Sequence, residues 1–273
     1  MGIDATYRSK IDSGLVAGFV EATGDENPIH RNSNLAIRIY SRIQGAVPLD
    51  EALKDGGKSH LIVPGALLVQ QVGPLLKRIR PDLTRVEQDF TFKGVLLTST
   101  TGRPLETRVC KLEESEGVVT YSTLVYSGER QLVCGRASLI DPSSTDIRLR
   151  KEIDQAEHVR EKELSLAYQE ILRLEEAGVH LEYWLTEILG SLFSLGLVQI
   201  DPKGNTMVYR EQTLKVNPSI HLGVGSRFKL EFKETEPKEI RRVGILRPIK
   251  VQGSVGDDIF LVGKTTGLEL RVA

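Results

Sequence analysis

The order of the predicted secondary-structure elements constrains the fold most, because one helix followed by four strands occurs twice along the chain. In the first half, apolar residues recur at helical spacing over 62–79, and four strand-like segments follow over 86–140. In the second half, a helical pattern over 180–199 precedes four strand-like segments over 207–272. The halves share this pattern without obvious residue identity, which predicts two copies of one α+β fold joined by a linker near residue 150.

Prolines and charged residues modify the predictions for individual helices. Pro64 falls in the first turn of its predicted helix, where proline is tolerated. Pro74 lies inside the same helix and is expected to kink it, because proline has no N–H to donate and clashes with the carbonyl one turn earlier. A shorter helix is predicted over 13–22. The charged stretch 151–176 is predicted to be a helix with a solvated face, beginning after the linker DPSSTD.

The composition excludes several classes of protein. The 273 residues contain 36 Lys and Arg against 37 Asp and Glu, so the net charge of −1 gives no field that would attract nucleic acid or a membrane surface. With 40% hydrophobic and 27% charged residues, the chain has the balance of a folded globular protein. No apolar run approaches the ~20 residues that cross a bilayer. Cys110 and Cys134 form neither a disulfide framework nor a metal set, so a reducing cytoplasm is the expected compartment.

The most informative segment is FVEATGDENPIHRNSNLA, residues 19–36. One interpretation is structural, because Gly-Asp-x-Asn-Pro is typical of turns. A second interpretation rests on Asp25 and His30, which lie five positions apart in a loop that can direct both side chains into one pocket. A carboxylate beside an imidazole can hold a water molecule and move its proton near neutral pH.

This segment resembles the hydratase motif of the MaoC-like, R-specific enoyl-CoA hydratases. In order, the matching positions are Phe19, Thr23, Gly24, Asp25, Asn27, Pro28, Ile29, His30, Asn32 and Ala36. The resemblance implies a hotdog fold, in which an antiparallel sheet wraps a long helix. It also implies reversible addition of water to trans-2-enoyl thioesters of fatty acid metabolism, giving (R)-3-hydroxyacyl thioesters. Coenzyme A or acyl carrier protein is then the thioester carrier, and no metal or redox cofactor is required.

A second landmark is Gly65 in IVPGALLVQ, at the start of the predicted central helix. It resembles the Pro-Gly helix start of the related hydroxyacyl-carrier-protein dehydratases, in which a glutamate follows five residues after the glycine. Gln70 occupies that position here and cannot act as a base, which favours a mechanism through Asp25 and His30. A glycine lets a ligand approach the backbone closely, and its N–H opens a helix with positive dipole potential.

The resemblance assigns roles to six residues. The predicted catalytic residues are Asp25, His30 and Gly65. The first two activate the water, and the N–H of the third stabilises the enolate oxygen that develops on the thioester carbonyl. The predicted substrate-binding residues are Gly24, Asn27 and Pro64. Of these, the asparagine is expected to anchor either the loop or the water.

The second half lacks the Gly-Asp-x-Asn-Pro-x-His sequence. His180 is too close to Glu187 for the pair to form a dehydratase site, so both are interpreted as structural or surface residues. Residues 1–145 are therefore predicted to be the catalytic hotdog, and residues 146–273 a degenerate second hotdog that completes a pseudo-dimer. The irregular insertion at 40–60 is expected to border the acyl pocket.

Two other functions fit the same pattern. A hotdog thioesterase would use the carboxylate and the helix N-terminus to add water at the thioester carbonyl. A non-catalytic hotdog would bind acyl chains or serve as a subunit scaffold. The full pattern from Asp25 to His30 favours hydration over both. The expected partners are an acyl-CoA or acyl-carrier-protein substrate and, in a homo-oligomer, further double-hotdog units.

Overall fold

The structure of the protein is a computed structural model. It describes residues 2–23, 25, 27–43, 48–54, 56–141, 143, 149, 152–153, 160–165, 206–220, 226–240 and 244–270. The helix predicted over 180–199, with His180 and Glu187, lies outside the described residues. Gly24, one of the predicted substrate-binding residues, also lies outside them.

The helices of the first half are short and are separated where the sequence disfavours a helix. They are α1 (Ser13–Thr23), α2 (Ser33–Tyr40), α3 (Leu49–Leu53), α4 (Gly65–Val69) and α5 (Val72–Ile79), with a 3₁₀ turn at Pro28–His30. The helix expected over 13–22 is thus confirmed as α1. None of the helices in the described part of the chain has the length and apolar character needed to span a membrane.

The predicted kink at Pro74 is confirmed as the break between α4 and α5. Gln70 and Gln71 separate the two helices. The nitrogen of Pro74 has no hydrogen to donate to the carbonyl of Gln70, and its ring crowds that carbonyl, so the helix is interrupted at this turn.

All eight strands predicted from the sequence are present, and the described residues contain five more that were not predicted. In chain order the strands are β1 (Ala5–Ile11), β2 (Leu61–Ile62), β3 (Thr84–Phe92), β4 (Leu97–Thr98), β5 (Arg103–Ser115), β6 (Val118–Ser127), β7 (Arg130–Ile140), β8 (Arg160–Ser165), β9 (Thr206–Val216), β10 (Arg227–Glu234), β11 (Lys238–Ile240), β12 (Gly244–Val255) and β13 (Asp258–Leu270). The unpredicted strands are β1, β2, β4, β8 and β11.

The helix predicted over the charged stretch 151–176 is wrong for residues 160–165, which form β8. This strand pairs antiparallel with β10, from Arg160 opposite Phe232 to Ser165 opposite Arg227. A backbone partner along the edge of a sheet outweighs the weak helical preference of this segment, REKELS, in which five of the six residues are charged or polar. Charged residues are also common on edge strands, because they discourage pairing with other chains.

The main sheet is antiparallel and has the same internal order in both halves. Its strands run β1-β5-β6-β7-β3-β9-β13-β12-β10-β8, with β11 paired to β12. Along this path, the first strand of each half lies at an outer edge of the sheet, and the second lies at the seam, where the two halves meet. The other three strands of each half fill the space between them in chain order. At the seam β3 and β9 pair antiparallel, from Glu87 opposite Lys215 to Thr91 opposite Glu211. One continuous sheet therefore joins the halves, while the boundary at 145–146 stays a prediction.

Three apolar clusters hold the described elements together. The first packs α4 and α5 against strands of the first half, with Leu67, Val69 and Val72 fully buried. The second lies among β9, β10, β12 and β13, around Phe228, Phe232 and Phe260. The third joins Ile29, Ile39 and Tyr40 to Val208, Leu268 and Leu270 of the second half. The segment after α1 therefore crosses to the second half, because its apolar side chains are buried there.

Candidate active site

The loop after α1 is shaped by its own polar side chains. The backbone N–H of Asn27 donates to Oδ1 of Asp25 at 2.9 Å, and the N–H of Ile29 donates to Oδ1 of Asn27 at 3.3 Å. Pro28 follows at the first position of the 3₁₀ turn, where a missing N–H costs nothing. The structural interpretation of Gly-Asp-x-Asn-Pro as a turn is therefore correct, and the turn sets where Asp25 and His30 lie.

His30 is oriented by a backbone carbonyl. Its Nδ1 lies 2.6 Å from the carbonyl oxygen of Ile62, the last residue of β2. Because a carbonyl only accepts, Nδ1 carries a hydrogen and donates it. In the neutral ring the lone pair is then on Nε2, which is the nitrogen that faces Asp25.

The predicted catalytic pair is brought together in a buried position. Nε2 of His30 lies 3.7 Å from Oδ2 of Asp25, and the two residues are 7% and 2% exposed. This separation is longer than a direct hydrogen bond, but it allows both atoms to contact one water molecule. Oδ1 of Asp25 is occupied by the turn, which leaves Oδ2 for this contact.

Arg31 is a residue of this loop that the sequence did not reveal. Its Nε and Nη2 both donate to the backbone carbonyl oxygen of Asp25, at 3.0 and 2.8 Å. Two donors from one planar guanidinium fix the Asp25 peptide and hold a positive charge near its carboxylate. The motif specifies no residue type at this position, so the sequence did not point to Arg31.

A cavity of about 370 Å³, its open mouth included, lies beside this loop. It is lined by Ile29, His30, Ile62, Val63, Gly65, Leu68, Phe92, Gly94, Val95, Met207, Val208 and Tyr209. His30 and Gly65 thus face one cavity, as predicted. Asp25, Asn27 and Pro64 do not line it. Most of the lining residues are apolar, as in sites that bind small organic molecules.

Gly65 begins α4 at the cavity wall. A Cβ atom on Gly65 would lie 3.0 Å from Cε1 of Phe92, so the ring packs against the bare backbone of the helix start. The first N–H groups of a helix have no acceptor inside it, which leaves the Gly65 N–H available to a ligand. Pro64 is the residue before the helix; it is buried and its backbone is extended. It directs the chain into α4.

Asn27 connects the loop to the second half of the chain. Its Nδ2 donates to the backbone carbonyl of Met207 in β9 at 3.0 Å, and the side chain is 3% exposed. Both ends of its amide therefore hold protein groups, which agrees with the expectation that Asn27 anchors the loop. Direct binding of substrate by Asn27, Gly24 or Pro64 stays a prediction.

β9 supplies three cavity-lining residues that the sequence analysis missed: Met207, Val208 and Tyr209. Burial raises the pKa of the Tyr209 hydroxyl well above its usual value of 10.0, and the negative charge of Asp25 raises it further. The second half carries no motif, so only the strand pattern of MVYREQTLKV could have suggested that one of these side chains faces inward.

That the 40–60 insertion borders an acyl pocket stays a prediction, because its described residues do not themselves line this cavity. None of 40–43, 48–54 and 56–60 lines the cavity. Ile39, Tyr40 and Ala52 instead belong to the third apolar cluster, together with residues of β9 and β13. The insertion therefore buries apolar side chains between the halves, in the same cluster as the cavity-lining residues Ile29, Ile62 and Val208.

Comparison with known proteins identifies the fold through structure. No protein-family model and no curated protein matches the sequence. A conserved hypothetical protein from Mycobacterium tuberculosis, described as having a double hotdog fold, matches with a TM-score of 0.63 and 9% identity over 99% of this chain and 97% of that one. A MaoC-like dehydratase matches with a TM-score of 0.60 and 9% identity over 98% of both chains.

A third match is described as a putative oleoyl thioesterase from Lactobacillus plantarum. Its TM-score is 0.53 and its identity 7%, over 98% of this chain and 96% of that one. At such low identities the likeness concerns the fold. The expected likeness to MaoC-like proteins is confirmed at that level, and so is the α+β prediction: the chain is a double-hotdog protein.

Proposed function

We propose that the protein catalyses the reversible hydration of trans-2-enoyl thioesters to (R)-3-hydroxyacyl thioesters. The observation that carries this proposal is the arrangement of Asp25 and His30. A lone-pair nitrogen and a carboxylate oxygen lie 3.7 Å apart, and both groups are buried. Two such acceptors can hold the two hydrogens of one water molecule and remove a proton from it.

The proposed reaction needs only these groups and the substrate. Asp25 and His30 take a proton from the water as its oxygen forms a bond to C3. The electron pair of the C2–C3 double bond moves into the thioester, whose carbonyl oxygen gains enolate charge. C2 then takes up a proton from the same pair, so the net change is addition of H and OH. Dehydration reverses these steps at the same site.

Gly65 is proposed to stabilise the enolate oxygen. It lines the same cavity as His30, and it begins a helix, where a backbone N–H has no acceptor within the helix. A hydrogen-bond donor aimed at a developing oxyanion is among the largest contributions to such reactions. The apolar wall formed by Ile29, Leu68 and Val95 suits an acyl chain.

The carrier is proposed to be coenzyme A or acyl carrier protein, in the cytoplasm and in fatty acid metabolism. No redox cofactor is then required, because addition of water changes no oxidation state overall, and the proposal assigns activation of the water to Asp25 and His30 without a metal. Homo-oligomers of double-hotdog units are part of this proposal.

Thioester hydrolysis is the second candidate, and it is favoured by the structural match to a putative thioesterase. The same carboxylate would direct water to the thioester carbonyl instead of C3. The two reactions differ in their products, because only hydrolysis releases a free thiol, and only hydrolysis acts on saturated thioesters.

A turnover screen tests the proposal. Purified protein is incubated with trans-2-enoyl thioesters of increasing chain length on both carriers, and with the matching saturated thioesters. Loss of the conjugated enoyl absorbance without release of thiol is expected. Release of thiol from saturated substrates would identify a thioesterase instead. Binding of acyl thioesters without turnover would identify a non-catalytic acyl-binding protein.

A further inference from the structure

Tyr209 belongs to the second half, yet it faces the proposed catalytic centre. It lies on β9 and lines the same cavity as His30 and Gly65. Its ring contacts that of Phe92, with centroids 6.2 Å apart and planes inclined by 60°. Phe92 in turn packs against the backbone of Gly65. The Tyr209 ring is therefore connected through Phe92 to the start of α4.

A direct hydrogen bond fixes the position of this tyrosine relative to the catalytic loop. Asn27 donates to the carbonyl of Met207, two residues before Tyr209 on the same strand. β9 is held in turn by β13, where Tyr209 pairs with Gly267. Because the strand is paired and the loop is bonded to it, the ring is held in place before a ligand binds.

The hydroxyl of Tyr209 is suited to donate a hydrogen bond to a ligand. Burial and the charge of Asp25 both raise its pKa, so the hydroxyl keeps its proton near neutral pH and does not act as a base. Among the described residues, none accepts a hydrogen bond from this hydroxyl. A protonated phenol in the cavity wall, with no acceptor among the described residues and within the field of Asp25, can donate to a ligand bound there.

We propose that Tyr209 donates a hydrogen bond to the oxygen held between Asp25 and His30, so that the second half of the chain supplies one group of the active site. That oxygen is the attacking water in hydration and the 3-hydroxyl in dehydration. This inference rests on the proposed hydratase function. It gives the second half a chemical role, although no motif of that half suggested one.

The hydrogen-bonding capacity of a water molecule explains why the Tyr209 hydroxyl is useful as a third group. Its two hydrogens go to Oδ2 of Asp25 and Nε2 of His30, and two lone pairs remain. If Tyr209 donates to one lone pair, the other is directed at C3 of the substrate. Without the hydroxyl the water can rotate between its two acceptors, and fewer encounters have the reactive geometry.

The test compares Tyr209→Phe with Tyr121→Phe. Tyr121 is 2% exposed in the core of the first half and does not line the cavity, so it controls for loss of a buried hydroxyl. Tyr209→Phe keeps the ring and its contact with Phe92. We expect kcat to fall by about tenfold or more, with KM within about threefold and an unchanged melting temperature. A kcat within about twofold of wild type would overturn the proposal.

A double variant tests whether Tyr209 and Asp25 act on the same oxygen atom or whether Tyr209 acts only through the structure. In an Asp25→Asn background, Tyr209→Phe should lower kcat much less than it does in the wild type, because the water is already misplaced. An equal loss in both backgrounds would show that Tyr209 acts elsewhere.

A binding experiment tests the Tyr209 contact even if the protein is not a hydratase. If the wild type turns over no enoyl thioester, binding of 3-hydroxybutyryl-CoA is measured by calorimetry for the wild type and for Tyr209→Phe. Binding weakened by about fivefold or more in the variant would support a contact between Tyr209 and the ligand hydroxyl. Equal binding would overturn the proposal.

Discussion

The loop that carries Asp25 and His30 and strand β9 contribute to one cavity, but they are positioned by different kinds of interaction. In the loop, Asp25, Asn27 and Ile29 bond to one another across two residues of sequence. Tyr209 is positioned by pairing with β13 and by a bond that spans 180 residues, from Asn27 to Met207. A site built locally leaves a sequence motif, whereas a site built by strand register does not. The comparison shows why the second half can lack a motif and still form part of the cavity wall.

The largest effect is expected from removing the second half. Residues 1–145 alone would lose Met207, Val208 and Tyr209 from the cavity and would expose the edge of β3 that normally pairs with β9. Because an exposed edge and apolar face promote aggregation, we expect a poorly soluble fragment without activity. Size-exclusion chromatography and turnover check this. A soluble, monomeric, fully active fragment would show that the second half is dispensable, and an active homodimer would show that a second copy can replace it.

Gly65→Val should lower turnover by roughly 10²–10³-fold, the usual cost of a lost oxyanion donor. The new side chain would meet the ring of Phe92 and lie between the helix start and the thioester. If Gly65 were only structural, the variant would lose stability and keep its activity per folded molecule. Melting temperature and turnover measured on one preparation separate these outcomes. Gly18→Ala in α1 is the control, because a Cβ there meets no neighbouring atom within 4 Å.

Asn27→Ala tests the link between the two regions. The variant leaves the Met207 carbonyl without its donor, and a lost buried hydrogen bond costs about 1–3 kcal/mol of the free energy of unfolding. We also expect turnover to fall by about tenfold, because the loop and β9 are no longer bonded. Asn32→Ala is the matched control: Asn32 accepts from the N–H of Leu35 at the start of α2. Equal loss of turnover in both variants would show that the link to β9 has no special importance.

The sequence predicted the parts of the fold that bury an alternating apolar face. In β10, Phe228, Leu230 and Phe232 are buried at alternate positions, and the strand is where that pattern predicts it. β1 was missed because this edge strand is mostly polar and exposed and has no clear period, and β8 was missed because five of its six residues, REKELS, are charged or polar. Their pairing depends on partners far along the chain, which no local pattern records.

The candidate site, like the fold, was predictable only in its locally determined parts. Asp25 and His30 stand in a motif whose turn chemistry is local, and the structure brings them together as expected. Arg31 and Tyr209 were not predictable, because one fills an open motif position and the other reaches the cavity only through strand pairing. Residues that act through long-range register require the three-dimensional structure.

Asp25 and His30 are proposed to activate one water molecule together. Hydration of a trans-2-enoyl thioester by the wild type, Asp25→Asn, His30→Ala and the double variant tests it most directly, with circular dichroism as the control for folding. Each single variant should lose roughly 10²–10⁴-fold in turnover, the usual contribution of general acid–base catalysis. The double variant should lose about as much as either single one, because the two groups act as a unit. A folded double variant with near-normal turnover would contradict the account.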